Sequence, residues 1–389
     1  MTDSARIALF DIQAQQALIR ADLDRRIAAV LDHGRYINGP EVEELEGRLA
    51  AFCGQGVHCV GVSSGTDALQ IAMMAEGIGP GDAVFLPAFT YTATAEVPLV
   101  LGATPVFVDV EETSFNLDLA DLERRVALVR AEGRLRPRVV VGVDLFGLPA
   151  DWPAILDICR REGMFALDDA AQAFGAALDG VRLGAWADAT ALSFYPTKTL
   201  GCYGDGGALL TRSAERAELY RSLRTHGEGT TRYEVLRTGM NGRLDTIQAA
   251  VLLAKLRLFE DELAARGRIG ALYDSLLKES GIGVQAARSA GAVNARGLYT
   301  VRLRDRAERD RVAAALKAQG IPTGIYYPRP LHRQPAYAEA HRTAIAGGAP
   351  PLPVSEALAE RVLSLPMHPY LSTAQVERIC AMLIAATRG

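Results

Sequence analysis

The sequence has no apolar run approaching the roughly 20 residues that a membrane-spanning helix needs, and it has no excess of basic residues. Lys and Arg number 42 against 46 Asp and Glu, so the net charge is −4, with both signs mixed along the chain. These absences argue against a membrane protein and against a nucleic-acid-binding protein, which would show a basic face. The opening residues, MTDSARIALFDIQ, lack a basic region followed by an apolar one, so we expect no secretory signal there.

Paired cysteines and metal-binding motifs are also missing. No CxxC occurs, and the five cysteines are odd in number and widely spaced, namely Cys53, Cys59, Cys159, Cys202 and Cys380. Free thiols in a reducing cytoplasm are therefore expected. The six histidines form no HExxH or paired-ligand spacing, so no metal site is predicted.

The 389 residues are too many for one ordinary core, which predicts two domains. Two amphipathic helices are indicated over residues 13–32 and 38–54. After them, apolar runs too short for helices alternate with amphipathic segments, at 57–62, 83–87, 105–110, 138–146, 164–169 and 189–196. Strands that alternate with helices predict an α/β fold, with a mostly parallel sheet covered on both faces. Such sheets carry their chemistry at the carboxyl ends of the strands.

The pattern changes near residue 243. Residues 243–277 are typical of one or two long helices, and they precede a strand at 297–303, a helix at 306–320 and a final helix after Ser372. The predicted division is therefore 1–242, with the N-terminal helices and the large domain, and 243–389, with the linking helix and a smaller α/β domain.

The stretch SSGTDALQIAMMAEG, residues 63–77, follows a predicted strand and opens a helix. Free backbone N–H groups and the helix dipole favour an anion there, Gly65 lets it approach the backbone, and the Ser64 and Thr66 hydroxyls can donate. An ordinary helix cap would use the same residue types. The stretch matches neither GxGxxG nor the P-loop, so a dinucleotide or triphosphate site is not indicated.

Two further stretches carry reactive groups. In FALDDAAQAFGA (165–176) a strand ends in two acids followed by small residues, which favours a carboxylate held against a flat ring with a protonated nitrogen. In SFYPTKTLGCYGDGG (193–207) a single lysine, Lys198, precedes four glycines. A buried lysine with a lowered pKa is a nucleophile toward aldehydes, and the glycines would leave room for a cofactor and a large ligand. The competing interpretations are a surface charge for the acids and a turn residue for Lys198.

Taken together these signals point to one cofactor. Pyridoxal 5'-phosphate needs a lysine for its aldehyde, an acid for its ring nitrogen, an anion cradle for its phosphate and an aromatic face for its ring. Tyr91 in PAFTYTAT (87–94) is the candidate for the aromatic face. All four features follow strand ends of the same predicted sheet.

The sequence resembles the DegT–StrS type of sugar aminotransferases across nearly its whole length. The matching blocks, in order, are GRYINGPEVEELE, SSGTDALQIA, GIGPGDAVFLPAFTYTATAE, PVFVDV, DDAAQAFGA, SFYPTKTLGCYGDGGAL, NGRLDTIQAAVL and SLPMHPYL. The resemblance implies fold-type I, with a mostly parallel seven-stranded sheet in a three-layer α/β/α large domain and a smaller C-terminal α/β domain.

The same resemblance implies residue roles. Lys198 would form the Schiff base with the cofactor and move the proton, Asp169 would hold the ring nitrogen, and Gln172 would contact the ring or its phenolic oxygen. Tyr91 would stack on the ring, and the phosphate would be held by Gly65, Thr66 and Ser193. Asn241 would reach the phosphate and Arg243 the acidic groups of the substrate, both from a neighbouring subunit, which implies a homodimer with shared active sites.

The implied reaction moves an amino group from L-glutamate to a nucleotide-linked keto-sugar, for cell-surface polysaccharide synthesis. The nearest resemblance is to enzymes that aminate carbon 3 of a UDP-linked 2-acetamido-3-keto-glucuronate. Arg243, Arg232 or Arg237 would pair with the uronate carboxylate. These arginines would otherwise bind the donor carboxylate or the pyrophosphate, or lie on the surface.

One position departs from the family pattern. Tyr326 in IYYPRPLHRQP stands near the sugar site, where the family usually carries His, which leaves the sugar open. The alternatives are a different keto-sugar (dTDP- or GDP-linked, aminated at C3 or C4) and a cofactor-binding regulator without turnover. Lys198 argues against sugar dehydration, in which the lysine is commonly replaced by His. The lack of a glycine fingerprint argues against a dehydrogenase.

Overall fold

The structure, a computed structural model, describes residues 7–231 and 233–388. Its helices are α1 Ile12–His33, α2 Pro40–Cys53, α3 Gly65–Ala75, α4 Ala93–Val100, α5 Leu119–Glu132, α6 Trp152–Glu162, α7 Ala214–Leu223, α8 Thr246–Leu256, α9 Phe259–Leu277, α10 Arg306–Ala318, α11 Ala338–Thr343, α12 Pro353–Arg361 and α13 Thr373–Arg388. Many begin at a Ser or Asp whose side chain accepts a first-turn N–H, as Asp11 and Ser64 do. None of the helices in these residues is long and apolar enough to cross a bilayer.

The strands are short, as the apolar runs predict. They are β1 His58–Val62, β2 Asp82–Pro87, β3 Thr104–Val108, β4 Arg136–Val143, β5 Phe165–Asp169, β6 Ala177–Leu178, β7 Val181–Arg182, β8 Ala189–Ser193, β9 Gly207–Thr211, β10 Gly283–Val284, β11 Ala292–Val293, β12 Tyr299–Arg302 and β13 Val362–Leu365. The run predicted over 138–146 ends as a strand at Val143, because a 3₁₀ turn follows at Leu145–Gly147.

The central sheet has seven strands in the order β1-β9-β8-β5-β4-β2-β3. The neighbours from β8 to β3 are parallel, whereas β9 runs antiparallel to both β1 and β8. Helices α2, α5, α6 and α8 pack on one face, and α3, α4 and α7 pack on the other. The prediction of a mostly parallel, seven-stranded sheet between two helical layers is thus confirmed, and its strand ends meet at one edge.

The C-terminal part has its own core. A small antiparallel sheet, β10-β12-β13, packs with α9, α10 and α13 around Val301, Leu363 and Leu383. Helix α8 instead contacts α1 and α2, so it packs with the large sheet. Ile7, ahead of α1, inserts into the C-terminal core, so the chain crosses between the two cores at its start as well. The division at residue 242/243 stays a prediction.

Candidate active site

A cavity of about 510 Å³ opens at the carboxyl edge of the central sheet. It lies where β5 and β8 end and where α3 begins, the place that parallel sheets reserve for ligands. The predicted site residues that line it are Gly65, Thr66, Tyr91, Asp169, Gln172, Ser193, Lys198 and Tyr326. Sequence segments more than 250 residues apart therefore meet around one space.

The amino end of α3 forms one wall of the cavity. Ser64 caps the helix by accepting the Asp67 N–H at 3.0 Å, which leaves the first N–H groups of the helix without helical partners. A Cβ on Gly65 would lie 2.8 Å from the Cβ of Ser193, so only glycine lets the helix start this close to the end of β8. The Ser193 Oγ accepts the Tyr195 N–H at 3.3 Å and keeps its own proton to donate. The helix cap at Ser64 therefore lies next to the predicted phosphate site, the anion cradle formed by Gly65, Thr66 and Ser193.

Asp169 and Asp205 are the two acids among the described residues that line the cavity, and Asp169 is the one at the end of β5. Its side chain is buried, and it accepts hydrogen bonds from Thr94 Oγ1 at 2.8 Å and from the Ala171 N–H at 3.3 Å. Burial raises the pKa of the Asp169 carboxyl, while these two donors and the charge of Lys198 act in the opposite direction. A carboxylate in this setting is stabilised by a cationic partner, such as a protonated ring nitrogen.

Lys198 lies in the loop that joins β8 to β9, and its backbone N–H donates to Tyr195 O at 2.9 Å. Its side chain is surrounded by protein on most sides but reaches the cavity. Burial lowers the pKa of the Lys198 amine to about 8, although Asp169 partly opposes this shift. The amine is therefore neutral in a substantial fraction of molecules near neutral pH, which distinguishes it from a solvated turn lysine.

The glycines after Lys198 have a different role from the one predicted. A Cβ on Gly201 would lie 2.6 Å from the carbonyl oxygens of Tyr195 and Pro196, and one on Gly207 would lie 2.5 Å from Ser64 O. The expectation that they leave room for the cofactor and a large sugar ligand is not met at these two positions, because a Cβ at either would meet backbone atoms of the protein. Gly207 begins β9, and of the three glycines in the loop only Gly206 lines the cavity. They let the loop pack tightly on itself and on α3.

The Gln172 side chain is held by two hydrogen bonds. Its Oε1 accepts the Phe146 N–H at 2.7 Å, and its Nε2 donates to the Tyr327 hydroxyl at 2.9 Å. These contacts fix the amide beside Asp169 in the cavity wall. Tyr327 itself lines the cavity, and burial raises the pKa of its hydroxyl.

Among the residues that sequence reasoning did not single out are Thr94, which donates to Asp169, and Tyr327 and Phe10, which line the cavity. Thr94 lies three positions after Tyr91, and Tyr327 directly follows Tyr326. Their closeness in sequence to predicted site residues could have indicated that both lie near the site. Phe10 reaches the cavity from the segment before α1, and nothing in its sequence context indicates that.

Asn241 and Arg243 do not line the cavity of their own chain. Asn241 forms an isolated antiparallel bridge with Thr225, and Arg243 forms one with Val62 at the end of β1. Arg237 is exposed and donates to Ser222 Oγ. Arg232, the third predicted partner of a uronate, lies outside the described residues.

Pyridoxal phosphate fits these residues. The cradle at Gly65, Thr66 and Ser193 suits its phosphate, the Asp169 carboxylate suits its ring nitrogen, and the Lys198 amine suits its aldehyde. In residues 7–231 and 233–388 no cluster of three His, Cys, Asp or Glu could hold a metal ion.

Comparison with known proteins supports this assignment. The DegT/DnrJ/EryC1/StrS aminotransferase family matches residues 17–384. The chain is 45% identical to the UDP-2-acetamido-2-deoxy-3-oxo-D-glucuronate aminotransferase of Pseudomonas aeruginosa, over 97% of this chain and 99% of that protein. It is 40% identical to the dTDP-3-amino-3,4,6-trideoxy-alpha-D-glucose transaminase of Streptomyces venezuelae, over 97% and 95% of the two chains.

Solved structures agree with the sequence comparison. A DegT DnrJ EryC1 StrS aminotransferase from Brucella abortus superimposes with a TM-score of 0.92 at 48% identity, covering 97% of this chain and 98% of that one. Bacillus subtilis NtdA with bound cofactor PMP superimposes with a TM-score of 0.86 at 25% identity, over 99% and 86%. This chain therefore belongs to the DegT/DnrJ/EryC1/StrS aminotransferase family, whose cofactor is pyridoxal phosphate.

Proposed function

We propose that the protein transfers the amino group of L-glutamate to carbon 3 of UDP-linked 2-acetamido-3-keto-glucuronate, which supplies an amino sugar for lipopolysaccharide or O-antigen synthesis. The observation that carries the chemistry is the meeting of the Lys198 amine, the buried Asp169 and the anion cradle at one cavity. The choice of sugar rests on the 45% identity to the Pseudomonas aeruginosa enzyme, since that identity extends over nearly the whole of both chains.

When bound, pyridoxal phosphate supplies an aldehyde that takes up amino groups and a ring that withdraws electrons. Lys198 Nζ would hold the aldehyde until the amine of the donor displaces it. The freed Lys198 amine would then carry a proton from the α-carbon of the donor to the cofactor and, in the second half of the reaction, from the cofactor to the sugar carbon that receives the amine. Asp169 would keep the ring nitrogen protonated through its negative charge, and Thr94 holds that carboxylate in place. The cradle at Gly65, Thr66 and Ser193 fixes the phosphate.

Tyr91, Gln172 and Tyr326 shape the rest of the site in this proposal. Tyr91 lies at the cavity rim, 57% exposed, with its ring 6.3 Å from that of Tyr327, and it covers the ring of the cofactor. Gln172 contacts the ring or its phenolic oxygen from an orientation fixed by Phe146 and Tyr327. Tyr326 borders the sugar.

We also propose a homodimer in which Asn241 and Arg243 enter the cavity of the partner. Lys198 is the only Lys or Arg among the residues that line the cavity in the described chain, yet the proposed substrate carries a diphosphate and a carboxylate. Asn241 and Arg243 lie outside their own cavity, next to a loop with exposed apolar side chains at Val235 and Leu236. A second copy that covers this loop would bring positive charge to the site.

The test of the substrate uses purified enzyme first converted to its amine form with L-glutamate. Return of the pyridoxal absorbance is then followed with UDP-linked 2-acetamido-3-keto-glucuronate, with its analogue lacking the carboxylate, and with dTDP- and GDP-linked keto-sugars. We expect the uronate to react fastest. Faster return with a dTDP- or GDP-linked sugar would overturn the choice of substrate. Failure of glutamate to change the spectrum would favour a regulator.

A further inference from the structure

A second group of acids lies directly behind Asp169, on the opposite face of the sheet. Neighbouring residues of a strand point to opposite faces, so Asp168 points away from the cavity that Asp169 lines. In the register of β4 and β5, Gly142 pairs with Asp168 and Val143 with Asp169. Asp144 follows at once, and its backbone N–H donates to Asp169 O at 3.2 Å. The Asp144 side chain thereby comes to lie against that of Asp168.

Asp144 and Asp168 have no cationic partner among the described residues. Both are fully buried, at 0% exposure. Asp144 Oδ1 accepts the Ala150 N–H at 2.6 Å and the Trp152 indole N–H at 3.1 Å. Among residues 7–231 and 233–388, the Thr190 hydroxyl is the one donor beside Asp168, and Asp144 Oδ2 meets no donor from any residue other than Asp168.

Two ionised carboxylates are strongly disfavoured here, because burial removes both from bulk solvent and no cation of the described residues offsets their mutual repulsion. One proton between them removes a charge and provides a donor for the contact between the two carboxyl groups. We propose that Asp144 and Asp168 share one proton at neutral pH, and that this acid pair positions Asp169 from the reverse face of the sheet. The consequence for Asp169 rests on the proposed function, whereas the shared proton does not.

The groups facing the pair do not supply a competing charge. Thr190 on β8 flanks Asp168, and Cys53 on α2 lies nearby with its thiol pKa raised to about 12 by burial, so that it stays neutral. Trp152 on α6 covers Asp144, and Asp169 adds a negative charge from the other face. Burial raises the pKa of Asp144 to about 7 and that of Asp168 well above its ordinary value. Both shifts therefore agree with the geometry.

The pair predicts a particular dependence of stability on pH. An acid whose folded pKa exceeds its unfolded pKa contributes stability at low pH, and this contribution is lost as pH rises through the folded value. For Asp144 the loss falls between its unfolded value of 3.8 and about 7. The cofactor-free protein should therefore become less heat-stable as pH rises through this range.

The experiment compares cofactor-free wild type with Asp168→Asn, whose amide still donates to Asp144 but carries no titrating proton. Infrared spectra at neutral pH should show the band of a protonated carboxylic acid in the wild type and lose it in Asp168→Asn. The pH slope of the thermal midpoint should flatten in the variant. The matched control is Asp82→Asn, because Asp82 is a buried acid whose carboxylate pairs with Arg136 at 2.8 Å. It should keep the infrared band.

Catalysis provides a separate measurement. Asp168→Asn should retain kcat within a few fold, whereas Asp168→Leu, which cannot donate, should lower kcat with little change in KM. An unchanged infrared band and an unchanged pH slope in Asp168→Asn would overturn the shared proton. Equal kcat in Asp168→Leu and the wild type would overturn the positioning role. Because the infrared and stability measurements use cofactor-free protein, their outcome is independent of the substrate proposal.

Discussion

Two lysines are close to the same loop but in different surroundings: Lys198, half-buried, belongs to the loop and borders the cavity, whereas Lys255, fully buried, contacts the loop from α8. Burial lowers the pKa of both Lys198 and Lys255 to about 8. Lys198 faces Asp169 and a space of about 510 Å³. Lys255, on α8, is 1% exposed, its Nζ has no hydrogen-bond partner among the described residues, and it sits 4.3 Å from the ring centre of Tyr203. A lowered pKa thus reports burial, while access and a nearby acid separate a reactive lysine from a structural one.

Helix α8, which carries Lys255 and Gln248, supports the loop that contains Lys198. Tyr203 belongs to that loop, and Gln248 accepts its N–H at 2.9 Å and donates to its C=O at 3.2 Å. The cation over the Tyr203 ring adds a second contact from α8. The same loop is therefore open toward the cavity on one side and held by α8 on the other.

The distinction between Lys198 and Lys255 would be wrong if replacing either lysine had the same effect on turnover. Lys198→Ala should lower turnover at least about 10³-fold, because it removes both the cofactor link and the proton carrier. Lys255→Met should retain most of the turnover. Single-turnover assays with L-glutamate would measure both, and circular dichroism would check that the variants are folded. Borohydride reduction followed by peptide mapping should label Lys198 and leave Lys255 unmodified.

Asp169, the acid near Lys198, is the second difference between the surroundings of Lys198 and those of Lys255. Asp169→Asn should lower kcat by about 10²-fold or more, because a neutral amide no longer stabilises a protonated ring nitrogen. Asp82→Asn, a buried acid far from the cavity, serves as the control. A rate for Asp169→Asn equal to that of the control would place the ring nitrogen elsewhere.

The pH dependence of cofactor attachment sharpens the comparison. With a pKa of about 8, roughly 10% of Lys198 is neutral at about pH 7, against about 0.03% for an ordinary lysine. Attachment of pyridoxal phosphate to cofactor-free protein should therefore accelerate as pH rises and level off above about pH 8 to 9. Stopped-flow absorbance would follow it. A rate that keeps rising through pH 10 would contradict the lowered pKa.

Stability shows the smallest expected effect. A lysine whose folded pKa lies below its unfolded value of 10.5 destabilises the fold at low pH, and the penalty fades as pH rises from about 8 toward 10.5. Lys255→Met should thus raise the free energy of unfolding by about 1–3 kcal/mol near neutral pH, and the gain should shrink in alkaline buffer. Urea denaturation at two pH values measures it. A loss of stability at both would mean that the Tyr203 contact outweighs the buried charge.

Much of this architecture was accessible from sequence because the strands are short apolar runs bounded by Gly, Pro or Asp, and because parallel strand ends must meet at one edge. That rule predicted that Gly65, Asp169 and Lys198 lie close together at one edge of the sheet. The antiparallel β9 was not located, since it begins inside the glycine-rich run that reads as loop. Phe10 reaches the cavity through packing between segments that are distant in sequence. The close neighbours of Gly201 and Gly207 are likewise set by tertiary structure, so the sequence could not show that these glycines serve packing.

The antiparallel pairing of β8 with β9 has a consequence for how the protein forms. Ser193 pairs with Gly207, and the Phe194 N–H donates to Gly206 O at 2.7 Å, so Lys198 sits in the loop of a local hairpin. Hairpins close quickly because little chain entropy is lost, whereas parallel crossovers such as β4 to β5 close late. We therefore expect the β8–β9 hairpin, which carries Lys198, to form early on the folding pathway. The pairing of β4 with β5, which positions Asp169, should form later. Pulsed hydrogen exchange during refolding should then protect the Phe194 amide before the Asp144 amide, which donates to Asp169 O between β4 and β5.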